Sequence, residues 1–133
     1  MNHHNHQSQF LVYAAQDGKL KIDVRLADET VWLTKQQLAE LFQTTRQNIS
    51  QHLLNIYDEG ELSSEATCKD FLQVRFEGQR EVTRPLAYYN LDVIISVGYR
   101  VKSVVATRFR IWATPAVAIK LTPPQQKKRK TKG

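Results

Sequence analysis

Residues 34–57, TKQQLAELFQTTRQNISQHLLNIY, decide the fold of this chain. Thr34 and Gln37 have the S/T-x-x-E/Q spacing of a capping box, which predicts a helix that begins at the residue after Thr34. The same spacing recurs from Thr44, with Gln47 as its partner, and predicts a second helix from residue 45. Two capped helices with so short a link form a helix-turn-helix.

The apolar spacing supports this pair of helices. The first helix is predicted to bury Leu38, Leu41 and Phe42. The second is predicted to bury Ile49, Leu53 and Ile56, which recur at i, i+4 and i+7. Between the helices, Gln43 occupies a turn position where glycine is usual, because the backbone there needs a positive φ.

The segments on either side of the helix pair are predicted to be strands. Residues 10–13, 20–26 and 30–33 form an apolar or alternating pattern, with a turn at Asp17-Gly18, and predict a β-meander. After the helices, alternation through residues 72–76 and a turn at 77–79 predict a hairpin that returns over residues 80–86. Pro85 should confine the return strand to a sheet edge. A hairpin directly after a helix-turn-helix occupies the position of a wing.

Two more helices are predicted beyond the hairpin. Asn90 is the N-cap of the first, which should bury Leu91, Ile94 and Ile95 and end at Gly98. The second should cover residues 105–113 and stop at Pro115. We therefore predict an α+β, winged helix-turn-helix-like domain over residues 9–114, with a disordered N-terminus at 1–8 and an irregular basic tail at 115–133.

Size and composition set the broad class. The 133 residues, 41% of them hydrophobic, suffice for one domain with a core. No apolar run is long enough to span a bilayer, and Cys68 is the single cysteine, so a cytoplasmic protein without membrane contact is expected. The basic excess is confined to residues 93–133, which hold ten Lys/Arg and no acid, whereas residues 1–92 hold nine Lys/Arg and thirteen Asp/Glu.

The polar face of the second helix carries side chains of the types that read DNA grooves. Arginine can fork onto guanine, glutamine and asparagine can pair with adenine, and serine can take a phosphate or a base edge. The candidate DNA contacts are Thr45, Arg46, Gln47, Asn48, Ser50 and Gln51 on this helix, and Arg75, Arg80 and Arg84 on the hairpin. Four basic residues after the hairpin could supply further phosphate contacts if the fold brings them to the same side: Arg100, Lys102, Arg108 and Arg110.

Two features favour a different function. Residues 30–60 carry two basic and three acidic residues, so this segment alone is not an electrostatic footprint for DNA. Leu54 lies at the centre of the outward face of the second helix and fits a protein contact at least as well as a thymine methyl. The alternative is therefore a protein-protein interaction module, whose partner is a second copy of the chain or another protein, or a truncated remnant without DNA binding.

Catalytic and metal-binding patterns do not emerge from the sequence. It contains no glycine-rich nucleotide loop, no H-E-x-x-H and no G-x-S-x-G. His3, His4 and His6 lie close together but have no fixed geometry to hold a metal, and a boundary position is expected for His52. A non-enzymatic protein without cofactor or metal is the expectation.

Three runs resemble the RhuM-type virulence-associated proteins of bacteria: VWLTKQQLAELFQTTRQNISQHLLNIYDEGEL, YYNLDVIISVGYRV and FRIWAT. The resemblance extends over roughly residues 9–114. It implies a DNA-binding module of the winged helix-turn-helix kind, often linked to pathogenicity islands and mobile elements, with the recognition helix at residues 45–57. Such proteins are expected to continue after FRIWAT as a leucine-containing helix and a further helical domain, so the resemblance implies a C-terminally truncated member.

Overall fold

Five antiparallel strands in the order β1-β2-β3-β5-β4 form one sheet, and helices pack on one of its faces. The computed structural model describes residues 8–15 and 18–121. The strands are β1 (Gln9–Ala15), β2 (Leu20–Ala27), β3 (Thr30–Thr34), β4 (Cys68–Glu77) and β5 (Arg80–Asn90). The helices are α1 (Lys35–Leu41), α2 (Arg46–Asp58), α3 (Ser64–Thr67), α4 (Leu91–Arg100) and α5 (Val105–Leu121). The predicted α+β class is confirmed.

The N-terminal meander is confirmed. β1 pairs with β2 along its whole length, and β2 pairs with β3. On β2, Ile22, Val24 and Leu26 are buried toward the helices, as the period-two alternation predicted. Of the predicted turn, Gly18 has a positive φ of 86°, whereas Asp17 lies outside the described residues.

Both helices of the predicted pair are present, and the first capping box is complete. The Thr34 hydroxyl accepts a hydrogen bond from the Gln37 amide at 3.1 Å, and the Gln37 side chain accepts one from the Thr34 amide at 2.9 Å. The cap of α2 is one residue later than predicted. The Asn48 amide donates to the Thr45 hydroxyl at 3.0 Å, so Thr45 is the N-cap and α2 begins at Arg46.

The turn between α1 and α2 explains the shift of the cap. Gln43 has a positive φ of 55°, as its place in the motif predicted. The Thr44 amide donates to the Ala39 carbonyl at 2.9 Å, which completes a Schellman end on α1. Because Thr44 belongs to the end of α1, the next threonine is left to cap α2.

The hairpin is confirmed, but the expected edge position of its return strand is wrong. β5 lies between β3 and β4, and β4 is the edge strand. β3 pairs with β5 only from Tyr88 to Asn90. Pro85 lies before this segment, where β5 has a neighbour on one side only, so its missing N–H removes no bond to β3.

Gly98 does not end α4, which continues to Arg100. Asn90 is its N-cap, as predicted, and accepts a bond from the Val93 amide at 3.3 Å. The positive-φ residue after the helix is Lys102. Gly98 is buried, and a Cβ atom there would lie 2.1 Å from the Cβ atom of Ala106 on α5. The glycine therefore permits a close crossing of α4 and α5.

Pro115 does not stop α5, which extends to Leu121. Residues 115–121 of the expected irregular tail are thus helical, and residues 122–133 lie outside the described residues, as do residues 1–7 of the expected disordered N-terminus. Pro115 is exposed, and Ile111, whose carbonyl loses its usual donor, is exposed as well. Water can bond that carbonyl, so the helix tolerates the proline at this position.

The main core lies between the sheet and the helices. Its largest fully buried side chains include Leu38, Ile49, Ile56, Ile94 and Phe109. Of the aromatic residues, Tyr89 and Phe109 are buried in this core and Trp112 is half-buried against it. A smaller cluster of Ala27, Trp32 and Tyr88 lies on the opposite face of the sheet.

Candidate nucleic-acid interface

A groove of about 280 Å³ lies where the N-termini of α1 and α2 meet the root of the β4–β5 hairpin. It is lined by three basic side chains and no acidic one. The lining residues are Thr34, Lys35, Gln36, Arg46, Gln73, Arg75, Leu86, Ala87 and Tyr89. Three cations around one concave surface form a site for an anion, and we call this surface the basic groove.

The helix caps position two of the three cations. Lys35 is the first residue of α1 after its Thr34 cap, and Arg46 is the first residue of α2 after its Thr45 cap. Both first residues line the groove. The N-terminus of α2 also carries a partial positive charge from its unpaired amides, which adds to the field of Arg46.

The third cation comes from the hairpin. Arg75 lies near the end of β4, opposite Val82 of β5, and lines the groove with Gln73. The structure therefore brings together Arg46 and Arg75, which the sequence analysis had placed on separate elements. It does not bring Arg80 or Arg84 into the groove lining.

The other two hairpin arginines lie elsewhere. Arg84 is held by Glu77, with its Nη2 atom 3.1 Å from Oε2 and 3.2 Å from Oε1. Arg80 is exposed next to the hairpin turn and is paired in register with the same glutamate. Glu77 therefore offsets positive charge at the end of the hairpin.

The outward face of α2 is polar except for one leucine. Gln47 and Gln51 are exposed one turn apart, and the Gln51 amide donates to the Asn55 side chain at 3.2 Å. Leu54, three residues after Gln51 on the same face, is 53% exposed. This face presents two carboxamides and one apolar side chain.

The remaining predicted contacts on α2 lie closer to its cap. Thr45 and Asn48 are exposed, and the Asn48 side chain donates to the Thr44 hydroxyl at 2.8 Å. This leaves the Asn48 carbonyl oxygen as its outward acceptor. Ser50 is half-buried.

Sequence reasoning missed Lys35 and Gln73 as lining residues. The cap at Thr34 placed Lys35 at the start of α1, but its position in the groove depends on how α1 packs beside α2 and the hairpin. Gln73 had no local signal, because its position in the groove depends on how the hairpin is joined to β3 through β5.

Arg100, one of the candidate phosphate contacts, forms ion pairs with two glutamates of the same chain. Its Nη2 atom lies 2.8 Å from Glu59 and 2.7 Å from Glu61. The Ser96 hydroxyl donates to Glu61 at 2.5 Å. These bonds join α4 to the end of α2 and lower the pKa of Glu61, chiefly through the hydrogen bond from Ser96 and then through that from Arg100.

Tyr89 is the titratable phenol in the groove lining. Burial, followed by the charges of Cys68 and Tyr57, raises the pKa of Tyr89 to about 12. Burial also raises the pKa of the Cys68 thiol, and the negative charge of Asp70 adds a smaller increase. Both groups are therefore neutral near pH 7, and Tyr89 faces the groove as a hydroxyl.

Of the four histidines, one, His52, lies in the part of the chain that the structure describes. His52 is half-buried on α2, which agrees with the expected boundary position. His3, His4 and His6 lie outside the described residues.

One known protein family is similar to part of the second half of the chain. Residues 66–120 match the model of the Virulence protein RhuM family. Over these residues the chain is similar to that family. The resemblance stated from the sequence is thus confirmed over 66–120, a segment that starts later and ends later than the expected 9–114.

The matched segment, residues 66–120, contains the hairpin, α4 and nearly all of α5. It includes Arg75, Arg80 and Arg84, whereas Arg46 and the rest of α2 precede it. No curated protein and no solved structure matches the chain. Among residues 8–15 and 18–121, none of the helices has both the length and the apolar character needed to cross a membrane.

Proposed function

We propose that this protein binds double-stranded DNA as a winged helix-turn-helix module and regulates transcription in the bacterial cytoplasm, without a catalytic step. The observation that carries the proposal is the basic groove, where Lys35, Arg46 and Arg75 lie around one cavity with no acidic residue in its lining. A phosphate of the DNA backbone fits this site, because each contact releases condensed counterions.

The geometry supports different DNA contacts for α2 and for the β4–β5 hairpin. With a phosphate in the groove, α2 lies with its N-terminus against the backbone and its exposed face toward the bases of the major groove. Gln47 and Gln51 are one turn apart on that face, and a carboxamide can both donate to and accept from an adenine edge. The hairpin then lies along the neighbouring backbone and acts as the wing.

The local charge also agrees with this orientation. Of the three acidic residues in 30–60, Glu40 lies on α1, whereas Asp58 and Glu59 lie at the C-terminal end of α2, where Glu59 is bonded to Arg100. The net negative charge of residues 30–60 is therefore distributed unevenly, with cations at the N-terminal end of the helix. DNA that approaches the N-terminus of α2 meets the positive side.

The test is DNA binding by the full-length chain with a neutralised C-terminus. Lys127, Lys128, Arg129, Lys130 and Lys132 are replaced by alanine, because such a run binds any polyanion. Fluorescence anisotropy with mixed-sequence duplex DNA is then recorded over a series of salt concentrations. We expect salt-sensitive binding, and Arg46→Ala with Arg75→Ala should reduce the slope of log K against log salt by about 2.

Lys19→Ala is the control. Lys19 is exposed and directly precedes β2, which pairs with β1 at the opposite edge of the sheet from the hairpin. The control should keep the parent slope. An equal loss in both variants, or no binding by a folded parent protein at low salt, would overturn the proposal.

Base reading is tested separately with a preferred site selected from a random library. Gln47→Ala should weaken binding to that site by about 1–3 kcal/mol and leave binding to random DNA nearly unchanged. Equal losses on both DNAs would show that Gln47 positions the helix without reading a base.

One observation favours the alternative of a protein-interaction module. Leu72, Val74 and Phe76 alternate along β4, so their side chains share one face of the hairpin, and all three are more than half exposed. Such an apolar row is typical of a protein contact. Phe76→Ser at the tip should leave DNA binding unchanged if the row serves a protein partner, and should weaken it if the row lies against DNA.

A further inference from the structure

The two edges of the sheet differ in charge. The β4 edge carries Lys69, Asp70, Arg75 and Glu77, and such charges discourage pairing with another chain. The β1 edge, QFLVYAA, contains no charged residue, no proline and no glycine over its seven residues. Within the described residues, no strand pairs with the outer side of β1. The β1 edge is thus the open pairing edge of this sheet.

The side chains on the outer face of β1 remain uncovered. Phe10 and Val12, which point away from the helices, are 54% and 57% exposed. The Phe10 ring lies 4.7 Å from the guanidinium carbon of Arg25, which is buried between this ring, Phe71 and Tyr88. One side of a well-packed cluster is therefore left open to solvent at Phe10.

We propose that β1 pairs antiparallel with β1 of a second copy of this chain, centred on Val12, to form a continuous ten-stranded sheet. In this register Phe10 of each copy lies opposite Ala14 of the other, so a large side chain meets a small one. Leu11 lies opposite Tyr13 on the inner face. The sequence of β1 is therefore complementary to itself.

The charges on β2 favour a second copy over an unrelated strand. Lys21 pairs with Ala14, and Arg25 pairs with Phe10. In the proposed dimer each Phe10 ring has Arg25 of its own copy on one side. On its other side lies Ala14 of the second copy, followed by Lys21 of that copy, which pairs with this alanine. An aromatic ring between two cations gains cation–π contacts from both, and β1 itself brings no like charges together.

The size of the contact sets the expected strength. A pair of seven-residue strands buries less surface than a standard stable interface, so we expect a dimer that dissociates on dilution. This inference concerns the edge opposite the basic groove and does not depend on DNA binding.

Sedimentation equilibrium of the full chain from about 2 to about 200 µM tests the proposal. The mass should rise with concentration from 15.4 kDa toward twice that value. Val12→Lys should weaken association at least about tenfold, since a lysine on a strand edge opposes pairing. Val74→Lys makes the same change at a site of matching exposure, 56%, on the other edge, and should leave association unchanged.

A cross-link keeps the test valid if Val12→Lys perturbs the fold. In a Cys68→Ser background, Val12→Cys places two thiols at the centre of the antiparallel pair, and mild oxidation should yield a covalent dimer, whereas Val74→Cys should not. Leu54→Glu should not change association if β1 is the interface. A monomer at every concentration, equal loss in the Val12→Lys and Val74→Lys proteins, or loss only in Leu54→Glu would overturn the proposal.

Discussion

Gly98→Ala should destabilise the protein although it adds a good helix former to the interior of α4. A Cβ atom at this position would lie 2.1 Å from the Cβ atom of Ala106 and 3.4 Å from the Phe42 ring. To restore an ordinary contact with Ala106, α5 would have to move away by about 1.5 Å. The movement would loosen Phe109, which is fully buried on α5.

The magnitude follows from two opposing terms. Overpacking of this severity costs about 3 kcal/mol, whereas replacing glycine with alanine in a helix gains about 1 kcal/mol. The free energy of unfolding should therefore fall by about 2 kcal/mol, which lowers the Tm by roughly 8 °C for a chain of this size.

Urea unfolding followed by circular dichroism measures the loss, and a second substitution identifies its cause. Ala106→Gly removes the methyl group that the new Cβ atom would meet. In the Gly98→Ala, Ala106→Gly double variant, the two changes should couple by at least about 1 kcal/mol in the stabilising direction. Unchanged or higher stability of Gly98→Ala alone, or strictly additive effects, would refute the close crossing.

Four further substitutions test other parts of the fold by the same unfolding measurement. Gln43→Gly should stabilise the protein by about 0.5–1 kcal/mol, because it relieves a non-glycine residue with a φ of 55°, and a lower stability would contradict this account. Thr45→Ala should lower the free energy of unfolding by about 1 kcal/mol through loss of the α2 cap, and Thr44→Ala should lower it clearly less. A larger loss for Thr44→Ala would show that Thr44 is the cap, as the sequence pattern predicted. Glu61→Gln should lower stability at pH 7 by less than Gly98→Ala does and should flatten its pH dependence in acid. Because the folded state lowers the pKa of Glu61 below 4.5, its contribution is present above that pH and is lost as the pH falls through the folded-state pKa, so an unchanged acid profile would refute the role of this carboxylate.

Patterns that depend on near neighbours predicted most of the fold. The alternation on β2, the Thr34 capping box and the Asn90 cap all hold, because each is satisfied within a few residues of the chain. The cap of α2 was misplaced by one residue because two consecutive threonines offer the same hydroxyl. Only the end of α1, which takes Thr44 into its Schellman motif, decides between them.

The errors arose where distant parts of the chain determine what a residue does. Gly98 looked like a helix stop, yet its role is to let α5 approach. Pro115 looked like another stop, yet it stands on an exposed helix face where the loss of one bond is tolerated. Pro85 looked like an edge residue, yet its strand becomes central three residues later. None of these outcomes is encoded in the local pattern.

The candidate site shows the same limit and explains why its parts must be considered together. Arg46 and Arg75 were both proposed from residue type, but their meeting in one groove depends on β5, which joins the hairpin to β3 and so to the start of α1. The segment that matches the RhuM family model supplies Arg75 and the hairpin, and the preceding helix pair supplies Lys35 and Arg46. The same segment also holds the far end of α2 in place through Arg100, which bonds to Glu59 and Glu61. Neither part forms the basic groove alone, so any binding of an anion there requires both.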